Sequence, residues 1–214
     1  MAEPDPTLLA AGDHLFERRW ELLKSAPDLE FLPSADRIEV AFAGRSNVGK
    51  SSLLNALVRQ QNLARTSNTP GRTQELNFFQ APGVPLYLVD MPGYGFARAP
   101  RERIAAWTAL VSDYLKGRAS LARVFLLVDA RHGLKPPDVA VMNLLDETAV
   151  SYQAVLTKTD KISAIALDRI VQATTAALQA HAAAYPSVIA TSSEKGVGIA
   201  DLRAAIAGIV AERS

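Results

Sequence analysis

The sequence has no cysteine among its 214 residues. Disulfides, thiolate catalysis and cysteine metal clusters are thereby excluded, and a reducing compartment would suit the chain. An excess of one charge is missing as well, since 23 lysines and arginines stand against 22 aspartates and glutamates. No overall field draws the chain to nucleic acid or membrane, so an anionic partner must be met by a local patch. Nor is there an uninterrupted apolar stretch long enough for a signal peptide or a membrane span. The expectation is a cytoplasmic monomer with no membrane and no DNA partner. Internal repeats and low-complexity tracts are also absent.

What the chain does have is 49% hydrophobic residues, ample for one domain with a sizeable core. From Ile38 onward, short apolar runs alternate with longer segments of helical period: "IEVAFA", "LYLVD", "VFLLVD", "YQAVLT" and "SVIAT" read as strands. This alternation predicts a parallel sheet covered by helices on both faces. "LNFFQ" adds a sixth strand, separated from "LYLVD" by Pro82-Gly83 and so antiparallel to it. Helices are expected at about 50–60, 101–116, 137–148, 166–185 and 199–211. The fold class is α/β: a three-layer domain over residues 37–214 whose six-stranded sheet is mostly parallel, with one antiparallel strand. Residues 1–36, interrupted by Pro4, Pro6, Pro27 and Pro33, read as an N-terminal extension packed on that domain, with a short helix near 15–24.

Between "IEVAFA" and the first expected helix lies "GRSNVGKSS", in which Gly44, Arg45, Ser46, Asn47, Val48, Gly49, Lys50 and Ser51 match G-x-x-x-x-G-K-S, with Ser52 following. Strand before and helix after are the context this phosphate cradle requires. The glycines let successive backbone N–H groups converge on phosphate oxygens, and the helix N-terminus adds its partial positive charge. Lys50 reaches the β and γ phosphates, and the Ser51 hydroxyl is offered to Mg²⁺. The domain is thus a P-loop NTPase, with base and chemistry still open.

Ligands of doubly wound sheets bind beyond the carboxyl ends of the strands, so the loop after each strand is informative. "LYLV" is followed by Asp90-Met91-Pro92-Gly93, a D-x-x-G pattern whose carboxylate holds a water of the Mg²⁺ shell and whose glycine N–H can meet the γ-phosphate. "YQAVL" is followed by Thr157-Lys158-Thr159-Asp160, which resembles the guanine-reading N-K-x-D with threonine in the asparagine position. An aspartate there accepts from N1–H and the exocyclic amine of guanine, whereas adenine has no donor at N1. The lysine stem would lie along the base. "SVIA" is followed by Thr191-Ser192-Ser193-Glu194-Lys195-Gly196, which resembles the loop whose N–H groups meet the guanine carbonyl. The polar loop "NLARTSNTPGRTQE" must hold any nucleotide-sensing switch, and Thr66, Thr69 and Thr73 are all candidates for Mg²⁺ by spacing.

The ordered motifs "GRSNVGKSS", "TPGRTQ", "DMPGYG", "TKTD" and "TSSEKG" resemble those of the EngB family (also called YihA or YsxC), Era-like bacterial GTPases that act in assembly of the large ribosomal subunit. The resemblance covers about residues 38–210. It implies that Thr73 joins Ser51 and Asp90 at Mg²⁺, that Gly71, Arg72, Thr73, Gln74 and Glu75 line the nucleotide, and that Lys50, Thr73 and Gly93 serve hydrolysis of GTP to GDP. It implies T-K-x-D as a normal variant. It also implies the large ribosomal subunit and its rRNA as partner, and a role in growth and division.

Signalling GTPases carry a glutamine after D-x-x-G to orient the attacking water, whereas this chain has Tyr94. Slow intrinsic hydrolysis is expected, raised by a partner, a monovalent cation or the ribosome. Asn47 resembles the asparagine of potassium-activated relatives, but it would equally serve by bracing its loop, so potassium stays optional. Arg98, Arg101, Arg103, Lys116 and Arg118 gather around the expected second switch and could touch rRNA phosphates, or form a solvated helix face. "DARHG" at 129–133, with His132, falls at the binding edge too, but a lone loop histidine reads as structural, as do the tryptophans Trp20 and Trp107. Two other functions use the same cradle: a signalling GTPase with a protein partner, and a nucleotide kinase, for which T-K-x-D has no use.

Overall fold

Asp5 accepts from the Thr7 N–H at 2.8 Å and Pro6 occupies the first helical turn, so the first helix, α1, starts at once and runs Pro6–Leu15. The structure, a computed structural model, describes residues 5–64, 75–95 and 101–213; within 101–107 the side chain of residue 105 alone is described. The chain then gives β1 (Glu21–Ala26), β2 (Ile38–Gly44), α2 (Lys50–Leu57), β3 (Leu76–Gln80), β4 (Leu86–Asp90), α3 (Arg101–Gly117), β5 (Leu121–Asp129), α4 (Pro136–Glu147), β6 (Tyr152–Thr157), α5 (Ala164–Leu178), β7 (Ile189–Ala190) and α6 (Ile199–Arg213).

These strands form one sheet in the order β1-β3-β4-β2-β5-β6-β7. β3 pairs antiparallel with both of its neighbours, and the remaining pairs are parallel, so one strand runs against the rest as expected. The count is seven rather than six because residues before Ile38 supply the edge strand β1. The helix expected near 15–24 is not there: α1 ends at Leu15, and Glu21–Ala26 pairs with β3 through a register shift between Leu22 and Lys24. The alternation that marks a strand is blunted in β1, where Leu22 and Leu23 are both exposed and Ala26 is buried.

Alternation along the central strands builds two cores. Val40, Phe42, Phe125 and Leu127 face one side, with Leu53, Leu54 and Leu57 of α2, Leu202 and Ile206 of α6, and Phe16 and Trp20 beyond α1. Ala41, Ala43, Val124, Leu126 and Val128 face the other, with Val111 and Tyr114 of α3, Met142 of α4 and Leu178 of α5. Three layers follow, and a strand buried on both faces, such as β5, reads as a continuous apolar run.

Several boundaries differ from the sequence expectation. α5 begins at Ala164, where the Ser163 hydroxyl accepts from Ala166 N, and stops at Leu178 rather than continuing to Tyr185, whose N–H bonds the Tyr152 carbonyl at 2.6 Å. α2 stops at Leu57, and Gln60 instead takes the Trp20 N–H and carbonyl at 2.7 and 2.9 Å. Arg203 of α6 closes the end of α2 by donating to the Leu57 and Ala56 carbonyls at 2.8 and 3.0 Å, where a helix leaves acceptors unpaired. α1 lies so close to α6 that a Cβ on Gly12 would fall 2.7 Å from the Arg203 carbonyl carbon.

Arg118, grouped by sequence with the basic residues of the second switch, is turned inward. It donates to fully buried Glu39 at 2.8 Å and to the Pro33 carbonyl at 2.8 Å, while Tyr114 and Ser120 donate to the same carboxylate at 2.8 and 3.0 Å. A buried carboxylate has to be met this way. Lys116 of that group is exposed, and Arg98 and the side chains of Arg101 and Arg103 lie outside the described residues.

Candidate functional site

Because β2, β4, β5, β6 and β7 run parallel, the loops after them share one edge of the sheet. The first is the cradle. Asn47 (φ 64°) and Gly49 (φ 106°) take left-handed backbone, bending residues 44–50 back over β2, and Gly49 caps α2 without a side-chain bond. Gly44 is needed for space: a Cβ would sit 2.8 Å from Val48 Cγ1 and 3.1 Å from Leu127 Cβ. The α2 N-terminus is left as an anion site in the loop geometry that presents backbone donors. Lys50 at its start pairs with Asp90 at the end of β4, and both side chains are 13% exposed. The two groups assigned to phosphate and Mg²⁺ thus face one another, with Ser51 half-buried beside Lys50 and Ser52 exposed.

The turn Asp90–Gly93 lies against the cradle. Met91 N donates to the Phe42 carbonyl at 3.0 Å, Tyr94 N to Gly44 at 3.3 Å, and Ser46 N to Tyr94 at 3.0 Å. Met91 and Pro92 are buried, and a Cβ on Gly93 would lie 3.2 Å from Ser46 Oγ.

In the loop after β6, Thr157 is buried and donates to the Val48 carbonyl at 2.6 Å, tying that loop to the cradle. Lys158, with φ 58°, reaches back to the Asn47 carbonyl at 2.6 Å and to Asp129 Oδ2 at 2.9 Å. The bracing of Asn47 therefore runs through its main-chain carbonyl, and its side chain is exposed. Thr159 N and Oγ1 both donate to the Thr191 carbonyl, at 3.2 and 3.0 Å. Thr191 returns to Leu156 through its N–H and hydroxyl, at 2.7 and 2.8 Å. Ser192 donates to Asp160 Oδ1 at 2.6 Å, and Lys161 lies 3.0 Å from Oδ2. The Ser192 bond and then Lys161 hold the Asp160 pKa below the usual carboxylate range, so the group is ionised and acceptor-only. Each of its oxygens keeps a lone pair for a base donor. Ser193 stands half-buried next to this pair.

A match to the family model described as 50S ribosome-binding GTPase covers residues 39–158. The probable GTP-binding protein EngB of Bradyrhizobium diazoefficiens is 54% identical over 213 residues, which are 99% of this chain and 98% of its own. That of Sinorhizobium fredii is 57% identical over 205 residues, 92% and 94% of the two chains. The chain belongs to the EngB family. It is a GTP-binding GTPase. Among solved structures, that of a probable GTP-binding protein EngB superposes with a TM-score of 0.66 at 23% identity, over 81% of this chain and 99% of the other. Era of Aquifex aeolicus bound to GDP·AlF4⁻ does so at 0.62 and 21% identity, over 80% and 56%, and at these identities the likeness shows the fold alone.

In this EngB chain the residue in the usual glutamine position is bonded to α4. Tyr94 is buried and donates to Asp138 Oδ1 of α4 at 2.9 Å. Burial, then the Asp138 charge and hydrogen bond, raise the phenol pKa well above its ordinary value, so it remains a donor. Arg45 of the cradle donates through Nε to both Asp138 oxygens at 3.2 and 3.1 Å, and Lys135 N adds a bond at 2.9 Å that caps α4. Asp129 forms a second cluster. Burial would raise its pKa, but the hydrogen bonds from Arg131 and Lys158 outweigh that and hold it well below the usual range.

Sequence reasoning brought the loops at 44–52, 90–93, 157–160 and 191–193 to one edge, and they are there. Glu75 stands half-buried just before β3, and Thr66, Thr69, Gly71, Arg72, Thr73 and Gln74 lie outside the described residues. Asp129 and Arg131 lie in the loop 129–133 expected at this edge, but neither they nor Asp138 were singled out. The signal for Asp129 was its place at the carboxyl end of β5; Asp138, one residue past Pro136-Pro137, reads as an ordinary helix cap. His132 is exposed in the same loop.

Proposed function

We propose that this GTPase holds GTP or GDP across residues 44–52, 90–93, 157–160 and 191–193 and uses its hydrolysis as a switch in assembly of the large ribosomal subunit, in the cytoplasm. The carrying observation for the site is the junction of phosphate loop and base loop: Thr157 and Lys158 bond the carbonyls of Val48 and Asn47, so a triphosphate on the cradle and a base on Asp160 are spaced by direct contacts. The ribosomal partner is supported by the matching family, 50S ribosome-binding GTPase. Among the described residues no helix is long and apolar enough to cross a membrane.

The donor set suits Mg²⁺. Ser51 and Asp90 offer oxygen ligands, Thr73 is assigned as the third, and no group of three or more His, Asp or Glu able to hold a metal is found among the described residues. Phosphate oxygens and water would complete the shell, as a hard, reluctantly dehydrated cation requires. Bound Mg²⁺ would neutralise charge on the β and γ phosphates. Potassium beside Asn47, or the ribosome itself, would supply what Tyr94 does not.

Sedimentation with purified ribosomal subunits tests the role. The protein loaded with a non-hydrolysable GTP analogue is expected to travel with the large subunit, and the GDP form to stay behind. Equal sedimentation in both states, or none in either, would remove the switch reading.

A further inference from the structure

Three loops of the ligand edge meet at one fully buried carboxylate. Asp138 receives the Tyr94 hydroxyl from the loop after β4, the Arg45 guanidinium from the cradle after β2, and the Lys135 N–H from its own helix start after β5. Capping α4 requires the last of these alone. The other two bind parts of the nucleotide site together.

The Asp90–Gly93 turn has a side-chain anchor at each end. Lys50 holds Asp90 at the near end, but phosphates that recruit Lys50 must take it from that pair. Tyr94 holds the far end through its bond to Asp138 of α4, a contact that uses neither Lys50 nor Asp90. Arg45 backs the exit as well: Gly95 has φ 76°, and a Cβ there would lie 3.3 Å from Arg45 Cγ. Withdrawing the phenol would leave a buried carboxylate one donor short, which keeps the ring where it is.

We propose that Asp138 is a positioning residue for GTP hydrolysis, acting through the Tyr94 phenol to keep the Asp90–Gly93 turn in register with the cradle when nucleotide is bound. The proposal rests on the reading of this turn as the phosphate-facing loop. It makes the start of α4 part of the catalytic support, because loss of register by a fraction of an ångström at Gly93 is felt by the reacting phosphate and hardly by GDP.

The test is single-turnover hydrolysis with protein in excess, together with GDP affinity and thermal melting. Tyr94→Phe removes one hydroxyl and keeps the packed ring. It is expected to lower the hydrolysis rate by about tenfold or more while GDP affinity stays within about threefold. Asp138→Ala should lose about as much, and the double variant no more than the worse single one, since both break one connection. If Asp138→Ala does not fold, Tyr94→Phe decides alone. A Tyr94→Phe rate within about threefold of the unaltered protein, with only a lower melting temperature, makes the cluster merely structural and overturns the proposal. Asp90→Ala separates the underlying reading: if it leaves hydrolysis unchanged, the turn does not face phosphate and the proposal falls with that reading.

Discussion

Thr157 stands where the guanine-reading motif has asparagine, and its hydroxyl donates to the Val48 carbonyl at 2.6 Å. A threonine hydroxyl is one donor on a stiff side chain, sufficient for a single carbonyl one loop away. Base reading is proposed for Asp160, ionised and braced by Ser192 and Lys161. Asp160→Asn replaces an acceptor by a donor, which sets donor against donor at the guanine amine and suits the oxygen that xanthine carries there. The variant is expected to trade GTP for xanthosine triphosphate, with a combined change in preference of about a hundredfold or more, and to leave ATP weak. Competition binding with the three triphosphates measures it. Retained preference for GTP would mean that this carboxylate does not read the base.

Among the elements, α2 is the one on which the site depends, and it is held from outside the site. Arg203 of α6 satisfies its last carbonyls and pairs with Asp13 of α1 at 3.2 Å, while Gln60 just beyond it grips Trp20. The residues before Ile38 thus brace the helix whose other end begins at the cradle. α3 is tied down at its own end by Arg118 on Glu39. Arg118→Ala would leave that buried carboxylate with its two hydroxyl donors but no cation, a loss of about 3 kcal/mol. At this chain length a fall in melting temperature of roughly 6–12 °C follows. Nucleotide affinity should hardly change, because Glu39 opens β2 at the edge opposite the cradle. An unchanged melting temperature would show the ion pair to be dispensable.

On the scale of the whole molecule, two cores on either side of one sheet leave the loops at 44–52, 90–93, 157–160 and 191–193 at a single edge, and the residue that stands where signalling GTPases have glutamine is bonded to Asp138. That residue is Tyr94, in place of the water-orienting glutamine, and its hydroxyl is the donor. Basal hydrolysis in sodium is expected to be slow, and to rise in potassium or with large subunits. Rates in the three conditions, compared at equal nucleotide, check this. Rapid turnover in sodium alone would mean that an unrecognised residue of this chain activates water.

The sequence by itself determined the fold class, the single reversed strand and the four loops at the ligand edge, because each rests on local signals. Alternation along β2 and β5, the glycines of the cradle and the order of strands and helices are properties of neighbouring residues. The edge strand β1 escaped, since one exposed edge asks little of its side chains. Arg118, Asp129 and Asp138 were misassigned or missed for a different reason. Their roles depend on groups 79, 29 and 44 positions away, at Glu39, Lys158 and Tyr94. A buried charge is defined by whichever partner the tertiary structure brings to it, and no spacing along the chain encodes that partner.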